Sequence, residues 1–371
     1  MKKSIFFLLY FSEGAPIGFI WWALPAILSK QNFDMTTIAT ISSLAALPWT
    51  FKFLLAPIID LISINYISLK KQLLFYQVIM GVVLFFVPDA IQSNAPSYII
   101  ITLLTHGIFA ASQDICIDSL AIKTIPEDEL GKTNGIMQAG MLVGRSILGG
   151  AGVYIANQYG VNFLTYFLVS SIWISLIFLQ KTKFQVNDQL STISIQTYFK
   201  NFLTLISHKK FWILILITYF SGFSFNGITT IASAVLEQKG VSSLWHGITY
   251  SIFIPFSMSL GALYAGKLSD TIGAHKILIY NLFICIITSV ITASVMDYSS
   301  TPSLLILTYT LFYIFIGSTT ASLYSFLMQH TNKKFAALEF SIFMAATNLS
   351  ETSSSYSIGQ FFKYFNYTYV F

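Results

Sequence analysis

The sequence is a succession of apolar runs, each long enough to cross a lipid bilayer as a helix. A transmembrane helix needs about 20 consecutive apolar residues. Barrel strands would instead appear as segments of about 10 residues with alternating polarity, and the sequence has no such pattern. We therefore predict an all-α membrane protein with about eleven spans, at residues 4–29, 36–62, 72–91, 97–122, 134–157, 161–180, 211–236, 246–266, 277–296, 302–328 and 335–359.

The composition excludes a water-facing globular domain. Charged residues make up 9% of the chain and hydrophobic residues 55%, whereas soluble proteins carry roughly 25% charged residues. Cys116 and Cys285 both lie inside apolar runs, which argues against a disulfide framework and a cysteine zinc site. We expect no cofactor. The net charge of +5 is explained by short loops that orient the chain, so it does not indicate nucleic-acid binding.

The lysines predict the orientation of the spans, because cytoplasmic loops of membrane proteins are enriched in Lys and Arg. With the N-terminus placed inside, the outer side receives only Lys30, Lys239 and Lys363. The first apolar run continues to Ile27 without a signal-peptide cleavage site, so it is expected to remain as an uncleaved first span. The inner side receives Lys2, Lys3, Lys70, Lys71, Lys123, Lys132, Lys181, Lys183, Lys200, Lys209, Lys210, Lys267, Lys276, Lys333 and Lys334.

A long polar stretch and an internal repeat divide the chain into two halves. We predict a six-helix N-terminal half at 1–181, a cytoplasmic linker at 182–209, and a C-terminal half at 210–371 with five helices and the start of a sixth. The segment APIID at 56–60 recurs as GKLSDTIGAHK at 266–276, and both segments close the second span of their half. The second copy reads G-x-x-x-D-x-x-G-x-x-K, with Gly266, Asp270, Gly273 and Lys276 at its defined positions.

This repeated loop resembles the signature of the major facilitator superfamily, whose halves are parallel repeats of six spans with the substrate path between them. Residues 362–371 have the composition of the opening of a twelfth span that does not continue. Measured against a twelve-span fold, we expect the last helix to be missing, as in a shortened gene product or an incomplete sequence.

Ionisable residues within the spans are concentrated in the first half. Such residues cost about 2.5–3.5 kcal/mol each at the bilayer centre, and they mark functional sites by default. At about 1.5 Å of rise per residue, Glu13, Lys52, Asp114 and Arg145 all lie roughly 12–17 Å from the inner ends of their spans, near the middle of a core about 30 Å thick. We therefore predict a single cluster, with Asp118 one helical turn from Asp114 on the same face.

The charges in this cluster do not balance. Lys52 and Arg145 bring two positive charges, and Glu13, Asp114 and Asp118 bring three negative ones. Desolvation and repulsion between two neighbouring carboxylates favour a proton on one of them, which is a means of coupling transport to a proton gradient. The alternative is structural, since Asp114 with Arg145, or Glu13 with Lys52, could be buried ion pairs that hold the helices together.

Asp60 and Asp270 occupy the inner ends of their spans rather than the bilayer centre. We expect them to cap the N-termini of neighbouring helices and to stabilise a closed gate, rather than to contact substrate. Small residues predict close helix packing as well, because Gly14 and Gly18 on the first span share a four-residue spacing with Gly140 and Gly144 on the fifth.

Four motifs resemble the AmpG-type muropeptide permeases, a major facilitator family related to the acetyl-CoA transporters. They are LPWTFKFLLAPIID at 47–60, ASQDICID at 111–118, GALYAG at 261–266 and FAALEF at 335–340. The resemblance implies a monomeric transporter in the bacterial inner membrane that imports GlcNAc–anhydro-MurNAc, with or without peptide, together with protons. It also places family motif positions at Lys52, Asp60, Gln113, Asp114 and Asp118.

Other functions remain open from the sequence. The same fold could carry an acyl-CoA or another anionic metabolite, or the chain could be a truncated remnant that transports nothing. An intramembrane enzyme is not expected, because the sequence contains no metal-ligand helix pair, no nucleophile elbow and no loop large enough for a catalytic domain.

Overall fold

The computed structural model describes residues 2–184, 194–298 and 301–361, and within these ranges the protein is helical without a β-strand. Seven continuous helical segments in the described ranges are long and apolar enough to cross a membrane, or eight if one bent helix pair counts as a span. The predicted all-α membrane fold is thus confirmed. Residues 362–371, in which the opening of a twelfth span was predicted, lie outside the described residues.

The first four spans are separate helical segments. Helix α2 contains Pro48 and Pro57, which remove two backbone donors, and it is interrupted at Phe51, directly before Lys52. The four segments are α1 (Lys3–Lys30), α2 (Thr36–Asn65), α3 (Leu69–Gln92) and α4 (Pro96–Thr124).

Two of the seven segments each contain two predicted spans. Glu127–Lys181 has 55 residues and Trp245–Val295 has 51, so either would measure about 80 Å as one straight helix, far more than a bilayer core of about 30 Å. The first is broken at Gly160 (φ 86°) and the second at Gly273 (φ 106°). Both angles fall in the left-handed region that glycine adopts without strain.

These breaks define four helices: α5 at 130–159, α6 at 161–181, α9 at 243–272, and α10 at Ala274–Tyr298. The remaining helices are α7 (Ile195–Ser207), α8 (Lys209–Gln238), α11 (Pro302–His330) and α12 (Ala336–Phe361). Each of the eleven predicted spans therefore corresponds to a helix in the part of the chain that the structure describes. Helix α7 was not predicted, because the stretch 182–209 was interpreted only as a polar linker.

Residue contacts group the chain into two units. Unit 1 comprises Met1–Ile125, Gly140–Leu203 and Thr331–Ile342, and unit 2 comprises Pro126–Ala139, Thr204–His330 and Phe343–Phe371. The main core of unit 1 is formed by apolar side chains of α1 to α6, and that of unit 2 by α8 to α11 with the turn after α8. The division of the sequence at 1–181, 182–209 and 210–371 follows chain order and stays a prediction.

Glycines allow α1 and α5 to approach closely inside unit 1. A Cβ atom at Gly14 or Gly18 would overlap the α5 backbone at Met141 or Arg145. In the same way, a Cβ atom at Gly140 or Gly144 would overlap the α1 backbone. The predicted close packing of these two helices is therefore what the structure contains.

The loop between α1 and α2 ends in a helix cap. Asp34 Oδ2 accepts a hydrogen bond from Thr37 Oγ1 (2.6 Å), and Oδ1 accepts one from Thr37 N (2.9 Å). These bonds, the side-chain one foremost, lower the pKa of the exposed Asp34 carboxyl, because they stabilise its charged form.

Candidate functional site

A lysine and two aspartates from α2 and α4 form a buried cluster within unit 1. Lys52 Nζ lies 2.6 Å from Asp114 Oδ2 and 3.9 Å from Asp118 Oδ2. The side chains of Lys52, Asp114 and Asp118 are between 4% and 7% exposed, so the charges have little access to water. One lysine is therefore shared by two carboxylates, and it lies closer to Asp114.

The local structure explains why these side chains meet. Lys52 is the first residue after the interruption of α2, and α4 passes through this region as one unbroken helix. Asp114 and Asp118 are four residues apart on α4, which places their side chains on the same face. The residues of α4 from Ala110 to Ile122 are all buried, so this part of the helix is surrounded by protein.

Tyr10 of α1 completes the cluster, although it is not among the site residues predicted from the sequence. Its hydroxyl donates a hydrogen bond to Asp118 Oδ1, and its side chain is buried. The available signal was its position three residues before Glu13 on the same helix face. Tyrosine is common in apolar spans, however, so spacing alone did not distinguish it. Each carboxylate thus has a principal partner, Lys52 for Asp114 and Tyr10 for Asp118.

Glu13 and Gln113, both predicted as pathway residues, are also buried, and Gln113 directly precedes Asp114 in the sequence. Glu13 is 1% exposed, and no hydrogen-bond partner is found for its Oε2 atom among the described residues. Gln113 is fully buried, and both polar atoms of its amide lack a partner within the described part of the chain. Buried polar groups without partners are rare and need an explanation such as a water or a ligand.

Arg145 lies at the end of the regular part of α5, where a π-helical turn begins. Its guanidinium carbon lies 5.1 Å from the centroid of the Trp21 ring on α1, a distance at which the positive charge is attracted to the aromatic face. Glu13 is within electrostatic range of Arg145 as well as of Lys52, Asp114 and Asp118. The charged residues that were predicted to cluster are therefore neighbours in unit 1, and their common depth in the membrane stays a prediction.

The ion pair that the structure forms differs from those weighed from the sequence. The sequence allows an ion pair of Lys52 with Glu13, or of Asp114 with Arg145. In the structure, Lys52 Nζ lies 2.6 Å from Asp114 Oδ2, so the Lys52 side chain reaches α4. Depth along a helix can be estimated by counting residues, whereas direction depends on helix rotation, and one residue changes that direction by about 100°.

Asp60, also in unit 1, binds a helix N-terminus. Its carboxylate is completely buried, and Oδ2 accepts hydrogen bonds from Leu338 N (3.1 Å) in the first turn of α12 and from the hydroxyl of Tyr198 (3.1 Å) on α7. Lys123 Nζ lies 3.6 Å from Oδ1. Asp60 is therefore a helix cap, as predicted. Its function in a gate stays a prediction, and Tyr198 is a partner that the sequence did not reveal.

Asp270 binds a second helix N-terminus, inside unit 2. Its Oδ1 accepts a hydrogen bond from Gly131 N (2.6 Å) and its Oδ2 one from Lys132 N (2.7 Å), at the start of α5. Gly266, one turn earlier on α9, lies against Gly131, and a Cβ atom there would overlap the Gly131 carbonyl. The first glycine of the G-x-x-x-D motif therefore permits the backbone contact that brings the aspartate to the amides.

The last two motif residues have different functions in the structure. Gly273 has the left-handed backbone angle that separates α9 from α10. Lys276 is exposed in the first turn of α10. In the second half, Glu339 accepts a hydrogen bond from Asn332 N (2.7 Å). No group of three or more His, Cys, Asp or Glu side chains in the described ranges is arranged to hold a metal ion.

Comparison with known proteins places this geometry in a family. The chain matches the Major Facilitator Superfamily over residues 6–355. Two solved transporters of this superfamily have the same fold: FucP in an outward conformation, with a TM-score of 0.72 at 14% identity over 97% of this chain and 91% of that one, and the proton:xylose symporter XylE, with a TM-score of 0.70 at 12% identity over 97% and 87%. At such identities the likeness concerns the fold alone.

Several curated relatives are AmpG-type proteins, which confirms the resemblance noted in the sequence. The chain is 27% identical to putative transporter AmpG 1 of Rickettsia felis over 41% of this chain and 35% of that protein. It is 24% identical to the anhydromuropeptide permease of Escherichia coli K12 over 43% and 32%. A longer match, at 25% identity, covers 73% of this chain and 68% of putative transporter AmpG 3 of Rickettsia prowazekii. The matches to the first two relatives thus span about a third of their length.

Proposed function

The chain belongs to the Major Facilitator Superfamily, and we propose that it is a proton-coupled importer of an anionic muropeptide of the GlcNAc–anhydro-MurNAc type. The superfamily match makes it a multi-pass membrane transporter rather than an enzyme. The proposed cargo derives from the relatives, one of which is an anhydromuropeptide permease. The proposed direction is from outside to the cytoplasm, with the N-terminus in the cytoplasm as the lysine distribution predicts.

The observation that carries this proposal is the buried cluster of Lys52, Asp114, Asp118 and Tyr10. Two carboxylates on adjacent turns of α4 share one lysine, and ionisable groups inside membrane spans are characteristic of proton relays and substrate pathways. Because the two carboxylates repel each other when both are charged, the cluster is suited to gain and lose a proton. Lys52 is the cation that an anionic cargo would approach.

The neighbouring polar groups supply sites for a polar cargo. Gln113 has an amide oxygen and an amide nitrogen buried without partners in the described structure, and Glu13 has such an oxygen. A sugar bears hydroxyl groups that both donate and accept hydrogen bonds, so it would satisfy an amide of this kind. In the proposed cycle, the cargo carboxylate binds near Lys52 and weakens the contact of Lys52 with Asp114. A proton then binds one of the two aspartates and replaces the positive charge that Lys52 had provided.

The proposal is tested by uptake of radiolabelled anhydro-muropeptide into proteoliposomes that contain the full chain. An inward proton gradient should drive accumulation, and a protonophore should abolish it. Absence of uptake under a gradient would refute the proposed cargo. Excess acetyl-CoA serves as the specificity control, because inhibition by acetyl-CoA but not by unlabelled muropeptide would instead favour an acyl-CoA carrier.

Proton coupling is tested separately with single variants of the two aspartates. Asp114→Asn or Asp118→Asn should abolish gradient-driven accumulation and leave part of the exchange of external for internal substrate. Exchange needs no net proton movement, so it reports whether the variant is folded and binds cargo. If accumulation survives in both variants, neither aspartate carries the proton.

A further inference from the structure

The apolar residues of helix α7 are partly buried against the protein and partly exposed. On one flank, Tyr198 is completely buried, and its ring centroid lies 5.2 Å from that of Phe335. On the other flank, Ile195, Phe199 and Leu203 are exposed by 63%, 44% and 60%. These three residues are spaced four apart, so they form one continuous apolar strip along the helix. An exposed apolar strip on a helix whose Tyr198 is buried against the protein indicates a further contact surface.

The charged residues in the sequence of this helix and at the start of α8 are lysines. Residues 194–212 contain no Asp or Glu, and Lys200, Lys209 and Lys210 are all exposed. On the helical projection of α7, Lys200 lies on the polar face next to the flank that contains Leu203. An apolar strip on a helix whose charged residue is a lysine, followed by two more lysines in the sequence, is the pattern of helices that lie in the interface of a membrane with anionic lipids.

The direction of α7 agrees with such a position. The helix pair Ile195–Ser207 and Lys209–Phe223 is bent by 71°, so a helix that continues from a membrane span at this angle runs more nearly along the bilayer surface than across it. At the bend, the indole N–H of Trp212 donates to Ile206 O (2.8 Å), and the ring remains 55% exposed. Tryptophan is enriched at the level of the lipid headgroups.

We propose that α7 is an interfacial helix that binds an anionic phospholipid surface. Ile195, Phe199 and Leu203 enter the boundary between headgroups and acyl chains, and the lysines contact lipid phosphates. This interaction does not depend on the identity of the cargo. Tyr198, on the opposite flank of α7, donates a hydrogen bond from its hydroxyl to Asp60. Binding of α7 to the lipid surface therefore also helps to hold this donor of the Asp60 cap in place.

The depth of α7 is tested with the full chain in nanodiscs that contain phosphatidylglycerol. Cys116 and Cys285 are replaced by Ala, and single spin-labelled cysteines are placed at Phe199 or Leu203 on the apolar strip, or at Thr197 or Thr204 on the polar face. Labels on the strip should relax with oxygen, which concentrates in lipid, and labels on the polar face with a water-soluble nickel chelate. Relaxation by nickel at all four positions would overturn the proposal.

The lipid charge is tested by substituting the three lysines together. Native mass spectrometry should show that Lys200→Gln, Lys209→Gln and Lys210→Gln together weaken retention of phosphatidylglycerol by about fivefold for each lysine removed, with little change for phosphatidylcholine. The matched Lys→Arg variant keeps the charge and should retain phosphatidylglycerol. Equal retention in the Gln and Arg variants would refute the phosphate contacts, and it would do so whether or not muropeptide is the cargo.

Discussion

Replacing Lys52 with Met should destabilise the protein strongly, because Lys52 is the nearest cation to Asp114. The two charged atoms are 2.6 Å apart, and both side chains are at most 7% exposed. Removing one partner of a buried ion pair leaves the other charge uncompensated and costs about 3–5 kcal/mol. Asp118 is affected less, since its distance to Lys52 is 3.9 Å and it keeps the hydrogen bond from Tyr10.

A second substitution separates this electrostatic effect from a loss of packing. Lys52→Met combined with Asp114→Leu replaces the pair by apolar side chains of similar volume, which is often neutral for a buried pair. The double variant should therefore be more stable than Lys52→Met alone. The coupling energy should lie at the upper end of the 0.5–3 kcal/mol range that is usual for residues in contact.

The assay uses the two buried cysteines of the protein. Cys116 and Cys285 are both buried, so a maleimide dye that fluoresces on reaction with thiols reports unfolding of the detergent-solubilised chain. Lys30→Met is the matched control, because the exposed Lys30 ammonium donates a hydrogen bond to the neutral Asn157 Oδ1. The cost of this substitution should not exceed about 1 kcal/mol. If the effects of Lys52→Met and Asp114→Leu simply add, the pair does not stabilise the protein.

Three further predictions concern the helix contacts and caps. Gly266→Ala should destabilise the protein by about 1–3 kcal/mol, because the new Cβ overlaps backbone atoms. Gly247→Ala is the control and should not destabilise it, because nothing lies within 4 Å of a Cβ atom there. Equal melting temperatures of the two variants would contradict the contact at Gly266. Tyr198→Phe should cost about 1 kcal/mol in thermal unfolding, because Asp60 loses a hydrogen bond; an unchanged melting temperature would count against it. The pKa of Asp34 is lowered in the folded state, so its cap should be complete above the ordinary aspartate pKa of about 3.9. As the pH falls through the lower folded pKa, the cap should weaken and amide hydrogen exchange in the first turn of α2 should become faster. Exchange that is independent of pH after correction for intrinsic rates would refute the cap.

Several features of the protein could be derived from the sequence because they depend on local properties. Length and apolarity of a run decide whether it forms a spanning helix, so all eleven predicted spans correspond to helices. The spacing of Gly14 and Gly18, and of Gly140 and Gly144, repeats about one helical turn, so it identified the helix faces that pack closely. The repeated position of Asp60 and Asp270 at inner helix ends predicted capping, since a carboxylate at such a position is attracted to nearby helix N-termini.

Other features were decided only by the tertiary structure. The partner of Lys52 depends on the rotation of α2 relative to α1 and α4, and a rotation equivalent to one residue is enough to exchange one partner for another. The hydrogen bonds of Tyr10 and Tyr198 to buried carboxylates could not be predicted from the sequence either, because their partners are 108 and 138 residues distant in the chain. The two flanks of α7 show most directly what a sequence pattern cannot determine. Apolar residues on both flanks are alike in sequence, and only packing within the folded chain determined that Tyr198 is buried while Phe199 remains exposed.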